Sequence, residues 1–219
     1  MTVSTDLIVL HSTKYGENAL VVHTLGPVYG RRSFLVRIGG RSAPVSPALF
    51  LPLNILNGQV TENPRSELWT LRSPMVKHPL SGIRDNLYKN TMTLFLSEVL
   101  YRAVRDGAYE AGLYEWCERQ VLTLNALEDS FSNFHLLFLL GLSGALGFRP
   151  ETGDLAPFAG GMQRHIEALL RLPFSEALLY PLTGAERSDL ADVFLRYLEF
   201  HTESALRVRS LAVLKEIFH

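Results

Sequence analysis

Residues 6–41 read DLIVLHSTKYGENALVVHTLGPVYGRRSFLVRIGGR. Three runs rich in aliphatic and β-branched residues are separated there by turn chemistry. The first, Asp6 to His11, supplies apolar side chains to both faces through Leu7, Ile8, Val9 and Leu10, and a turn at Tyr15 and Gly16 follows. Ala19 to Leu25 is a second run, closed by Gly26 and Pro27, and Arg31 to Ile38 is a third, closed by Gly39 and Gly40. Two weaker runs extend the pattern, Leu49 to Gln59 with Pro52 inside it and Glu67 to Leu71. Five short strands in about 75 residues predict a small closed barrel or a sandwich.

The β pattern is lost between Arg72 and Gly82, where Pro74, Pro79 and Gly82 mark a linker. Helical periodicity starts directly afterwards. Tyr88, Met92, Phe95, Leu96, Val99 and Ala103 share one helix face, and Leu113, Trp116, Cys117, Val121 and Leu124 share another. Asn133 to Leu146 predicts a third helix, apolar all round and therefore central. Gly147 to Gly161 holds two prolines and four glycines and predicts an ordered loop or short irregular segment, followed by short helices. Thr183 and Glu186 have the spacing of a capping box, which starts a helix with Leu190, Val193, Phe194, Tyr197 and Leu198 inward; a last helix runs from about Leu206 to Phe218. The expected layout is two domains, a β domain over residues 1–80 and an all-α domain over residues 81–219.

Composition narrows the functional class. Cys117 is the only cysteine among 219 residues, which excludes an internal disulfide and a cysteine-built zinc site within one chain. The first six residues lack the pattern of a signal peptide, and the most apolar stretch, Phe134 to Leu146, is too short for a bilayer and carries His135, Gly141 and Gly144. A cytoplasmic protein without a membrane span is expected. The net charge is -1 but is unevenly placed. Residues 1–80 carry eight Lys and Arg against four Asp and Glu, a balance of +4, and residues 81–219 carry thirteen against eighteen, a balance of -5.

Catalytic signatures are absent. Gly26 and Gly30 lack the Lys and Ser/Thr of a phosphate loop, and Gly39 with Gly40 lacks the third glycine of a dinucleotide fingerprint. Gly141, Ser143 and Gly144 superficially resemble a nucleophile elbow, but the second glycine comes one position early and the context is a continuous apolar helix, so Ser143 is assigned to helix packing. The seven histidines include no pair at the four-residue spacing of a one-helix metal site, and His135 on an apolar face is expected to be a core histidine. The pattern points away from an enzyme.

The most pointed local feature is Arg31, Arg32, Arg37 and Arg41, four arginines within eleven residues on or beside a strand that also holds Tyr29 and Phe34. Small barrels bind single strands with such a surface: cations neutralise phosphates and rings stack on bases. The plainer reading is a charged edge strand that discourages aggregation. Arg31 and Arg37 lie an even number apart and share a face, whereas Arg32 points to the other.

The order of features resembles the RecO family. The Leu7 to Leu10 strand followed by Lys14, Tyr15, Gly16 and Glu17, a second strand ending at Thr24, Gly30 and Arg31 opening the third, and Gly39 to Arg41 leading into Pro47, Leu51 and Pro52 are similar to its N-terminal domain. Asn90 to Leu100 with Ser97, Glu98, Val99 and Leu100, then Gly147, Phe148, Arg149 and Pro150, and the closing Arg209, Ser210, Leu211 and Leu214 are similar to its helical domain. The resemblance implies an α+β two-domain protein, a five-stranded OB-fold β-barrel followed by an all-α domain. It implies a non-catalytic mediator of recombinational DNA repair that binds single- and double-stranded DNA and anneals complementary strands. With RecR, such a mediator helps load RecA onto DNA covered by single-strand-binding protein, whose C-terminal tail it also binds. The candidate DNA-binding residues are Lys14, Arg31, Arg32, Arg37 and Arg41. Many family members carry a four-cysteine zinc site after the Gly-Phe-x-Pro segment; Glu151 to Gly161 here has no cysteine, so no zinc or other cofactor is expected. The competing reading is a protein-only adaptor with the same two domains.

Overall fold

A computed structural model describes residues 2–38 and 45–217. Five strands, β1 (Thr2–Lys14), β2 (Ala19–Gly26), β3 (Gly30–Arg37), β4 (Ile55–Thr61) and β5 (Leu68–Val76), close into a barrel in the order β1-β2-β3-β5-β4. Neighbours are antiparallel except β3 and β5, which run parallel with Ser33 opposite Leu68 and Leu35 opposite Thr70. This is the five-stranded OB barrel. The first strand is long enough to serve two neighbours: its start pairs with β4 from Thr2↔Thr61 to Ile8↔Ile55, and its end with β2 up to Lys14↔Leu20. A bulge between Val9 and His11 bends it from one partner towards the other.

Leu7, Val9, Leu20, Val22, Phe34, Val36, Leu56, Val60 and Leu71 fill the interior at alternate positions, and Phe50 caps them. Ile8 and Leu10, between the inward residues of β1, are fully buried too, which accounts for the unbroken apolar run.

Two strand limits differ from the sequence reading. The stretch from Leu49 is a 3-10 turn (Pro47–Phe50) whose Ser46 side chain accepts from the Ala48 N–H; β4 begins only at Ile55, after Leu53 with φ of 59°. β5 runs on to Val76 through the supposed linker. A register shift between Asn57 and Gln59 faces the Arg72–Met75 stretch of β5, Ser73 has φ of 49°, and Pro74 needs no ladder N–H at such a bulge. Gly58 is the partner that permits it, because a Cβ there would lie 2.6 Å from Leu71 Cδ1.

The helices are α1 (Ser81–Arg84), α2 (Leu87–Ala103), α3 (Leu113–Ala126), α4 (Phe134–Ala145), α5 (Thr152–Leu155), α6 (Gln163–Arg171), α7 (Phe174–Leu179), α8 (Gly184–Thr202) and α9 (Ser210–Ile217). The chain forms two compact units: Met1–Leu80 with Val104–Val121, and Ser81–Ala103 with Leu122–His219. In the second, α4 is the apolar centre, with Phe134, Leu136, Phe138, Leu139 and Leu142 buried. Asn133, just before it, donates from Nδ2 to the carbonyls of Ala177, Leu178 and Tyr180 and so holds the end of α7. The capping box forms as read: Thr183 Oγ1 accepts from the Glu186 N–H while Glu186 accepts from the Thr183 N–H. Residues 147–161 fold into the single-turn α5, which has its own capping box from Glu151 and Asp154, and a 3-10 turn at Ala156–Phe158. Among the described residues no helix is long and apolar enough to cross a membrane.

Candidate nucleic-acid interface

Alternation along β3 separates its arginines. Phe34 and Val36 point inward, so Arg31, Ser33, Leu35 and Arg37 lie on the outer face and Arg32 is turned towards the barrel end. Arg32 stacks over Trp69, with its guanidinium carbon 4.9 Å from the ring centroid, and Trp69 in turn meets Tyr29 edge-on at 4.9 Å. Arg31 is held by the chain between α2 and α3. Its N–H donates to Ala108 O at 3.0 Å, its carbonyl accepts from Gly107 N at 2.9 Å, and its guanidinium donates to Val104 O. Gly30 is required for this approach: a Cβ there would lie 2.0 Å from Ala108 O.

Lys14 and Arg37 stand at the opposite end of β3, both exposed, beside the turn between β1 and β2. Arg31 and Arg37 are six residues apart, roughly 20 Å in a strand. The five predicted residues thus divide into Lys14 with Arg37, and Arg31 with Arg32; Arg41 lies outside the described residues.

A cation missing from the sequence reading joins Arg37. Pairing between β3 and β5 ends at Leu35↔Thr70, after which β3 stops and β5 bulges. A surface groove of about 450 Å³ opens there, lined by Leu35, Arg37, Thr70 and Arg72 and, from the barrel core, by Val36 and Leu71. Both arginines are exposed and neither forms an ion pair with a described residue. Lys77, by contrast, bridges Asp6 and Glu118 at 2.7 Å each, and these bonds outweigh burial to hold its ammonium above the usual lysine range. A positional signal for Arg72 did exist, since it lies one residue past the apolar Leu71, but the proline after it masked the strand.

Beside Arg31 the outer face carries a polar row, His11↔His23↔Ser33. His23 Nδ1 and Ser33 Oγ are 2.8 Å apart, and Ser33 Oγ donates to Asp106 at 2.8 Å. The hydroxyl lies between ring and carboxylate and is buried, so this is a clamp rather than a nucleophile arrangement. Ser143 likewise is buried in α4 and donates to Leu139 O at 3.1 Å. No group of three or more His, Cys, Asp and Glu converges on a metal position among the described residues.

A closed five-stranded barrel of this strand order, with two exposed arginines lining a groove on its surface, belongs to the class of oligonucleotide- and oligosaccharide-binding barrels. Family comparison takes the class further. The profile for Recombination protein O N terminal matches residues 1–79, and that for Recombination protein O C terminal matches residues 84–156. The DNA repair protein RecO of Phocaeicola vulgatus is 30% identical over 233 residues, covering 96% of this chain and 97% of that protein. The proteins of the same name from Flavobacterium psychrophilum and Azobacteroides pseudotrichonymphae are 26% and 24% identical, each over the whole of both chains. The chain belongs to the RecO family of DNA repair proteins.

Proposed function

We propose that the chain is a non-catalytic recombination mediator of the cytoplasm, acting at the nucleoid. It binds single- and double-stranded DNA through the barrel domain of residues 1–80, anneals complementary strands and, with RecR, helps load RecA onto DNA covered by single-strand-binding protein. The observation that carries this reading is the groove lined by both Arg37 and Arg72 together with aliphatic side chains. Two phosphates neutralised by these arginines, with bases or sugars over the half-buried Leu35, hold a strand without burying the edges needed for pairing. Lys14, Arg31, Arg32 and Arg41 remain further candidate contacts of the proposed interface, Arg41 lying outside the described residues.

A second groove supports the protein partner. In the helical domain of residues 81–219, a depression of about 470 Å³ is lined by Leu137, Leu140, Leu170 and Phe174 with two arginines, Arg149 and Arg171, and one carboxylate, Glu151. An acidic, apolar peptide ending in a carboxylate, the chemistry of the single-strand-binding protein's tail, complements it.

The test is the affinity for a fluorescent single-stranded oligonucleotide across a salt series, with the parent and an Arg37→Ala/Arg72→Ala variant. Two lost phosphate contacts flatten the slope of log affinity against log salt by about 1.4. A parent that binds weakly and without salt dependence is instead a protein-only adaptor; an unchanged slope in the variant removes the groove from the interface.

A further inference from the structure

Alternation along β3 puts Arg32 on the same side as Phe34 and Val36, so its side chain enters the mouth of the barrel. Protection of a sheet edge does not explain a charge there, because the barrel is closed and β3 has neighbours on both sides. The guanidinium lies over Trp69, whose ring meets Tyr29 and Phe34 edge-on, and Nη1 approaches Gly107. What it lacks is an acceptor. Nε is shut off from solvent without a hydrogen-bond partner, and the side chain forms no hydrogen bond or ion pair with a described residue. The carboxylates of this end are engaged elsewhere, Asp106 by Ser33 and Glu62 by the Tyr29 hydroxyl. A guanidinium carries five N–H donors, and buried donors in folded proteins are nearly always satisfied. Arg32 is half-buried, so the rest of the group opens to solvent and can receive a ligand.

We propose that Arg32, held over the Trp69 ring, is a second phosphodiester contact of the barrel and takes a different nucleic-acid strand from the one in the groove of Arg37 and Arg72. This deepens the DNA-binding reading above and rests on it. A guanidinium fork matches the two free oxygens of a phosphodiester, and stacking on an aromatic ring fixes the fork before the ligand arrives. Tyr109 is exposed, and its Cα would lie 2.9 Å from a Cβ at Gly30, two residues from Arg32, so a ring is at hand for a base. The separation assigns the two contacts to two strands. Arg32 and Arg37 are five residues apart, about 16 Å along β3, and the odd interval turns them to opposite faces. A short strand that fills the groove on the outer surface does not reach the barrel mouth. One barrel therefore holds both strands of an annealing pair, and no second copy of the chain is needed to bring them together.

Trp69 reports on its own site. In a Trp116→Phe background it is the only tryptophan, and the full chain is titrated with a short oligothymidylate while emission and bound equivalents are both followed. Two equivalents per chain are expected, one of which changes Trp69 emission. Arg37→Ala/Arg72→Ala is expected to lose one equivalent and keep the emission change; Arg32→Gln is expected to lose the other equivalent together with the emission change. Circular dichroism follows folding. Should Arg32→Gln unfold the barrel, Arg32→Lys decides, because it keeps the charge and the aliphatic stem but not the fork: the equivalent that changes Trp69 emission is expected to weaken severalfold, and an unchanged affinity overturns the proposal. Trp69 emission that does not respond at saturation overturns it too. So does a single equivalent whose emission change is lost in both variants, which is one strand running over both contacts. Each of these results leaves DNA binding itself intact, whereas a parent that binds no oligonucleotide overturns the DNA-binding reading and this inference with it.

Discussion

Replacing Gly30 by alanine tests the contact that fixes the start of β3. Gly30 has φ of +62°, and an added Cβ would sit 2.0 Å from Ala108 O, 2.8 Å from Ala108 C and 2.9 Å from Tyr109 Cα. None of these is the tip of a flexible side chain, so the segment must move off the barrel. The left-handed conformation costs an alanine about 1 kcal/mol. The reciprocal bonds between Arg31 and the Gly107–Ala108 backbone are worth about 1 kcal/mol each, and the charged Arg31 donor to Val104 O about 1.5 kcal/mol. The sum is about 4.5 kcal/mol, a large share of the stability of an ordinary domain. Gly16 is the control: it has nearly the same φ, +65°, but no atom within 4 Å of a Cβ, so Gly16→Ala pays only the conformational cost of about 1 kcal/mol. Urea unfolding followed by tryptophan fluorescence reads this unit, since Trp69 and Trp116, the only two tryptophans, both lie in it. With a slope of about 2 to 3 kcal/mol per M, Gly30→Ala lowers the midpoint by about 1.5 to 2.3 M and Gly16→Ala by about 0.5 M or less. Equal shifts for the two variants refute the role assigned to this contact.

Asn133→Ala leaves the carbonyls of Ala177, Leu178 and Tyr180 without their shared donor and is expected to cost about 2 to 3 kcal/mol in thermal melting; a melting temperature within about a degree of the parent's contradicts the anchoring role. His135, buried against Phe95, is pushed down to about 3 by burial first and by Arg187 second. Its stability contribution is complete above the ordinary value of 6.5 and falls away below it, because the unfolded chain takes up a proton there that the folded one refuses. Between pH 6.5 and 5 the loss is about 2 kcal/mol, read as a falling urea midpoint whose slope His135→Gln removes.

The β-barrel was legible where apolar alternation and turn residues agreed, as in β2 and β3, whose limits lie within a residue of the sequence reading. It was illegible where backbone geometry overrode composition. Pro74 reads as the end of a strand, yet a bulge opposite Gly58 lets the strand continue to Val76. The helical part followed its periodicity because α4 is apolar all round and α8 begins with a reciprocal cap. The grouping of Val104–Val121 with the barrel had no sequence signature, since its contacts, the Arg31 bonds to Val104, Gly107 and Ala108, Ser33 to Asp106 and Lys77 to Glu118, join residues far apart in sequence.

The candidate site shows why a cluster of charges in sequence is not a patch in space. Arg31, Arg32 and Arg37 occupy one eight-residue strand, but a strand separates them by about 3.3 Å per residue and turns successive side chains to opposite faces. Arg31 and Arg32 are thereby committed to Val104 and Trp69, and their exposure to solvent is correspondingly reduced. Arg37 gains its nearest functional companion from Arg72, thirty-five residues away in sequence and adjacent only because β5 lies next to β3 in the closed barrel. His11, His23 and Asp106 meet by the same closure and by the return of the chain after α2. Substitution of Arg31 should therefore act on folding before it acts on binding. On the proposed reading substitution of Arg37 or Arg72 does the reverse, so only the second kind of variant tests DNA binding.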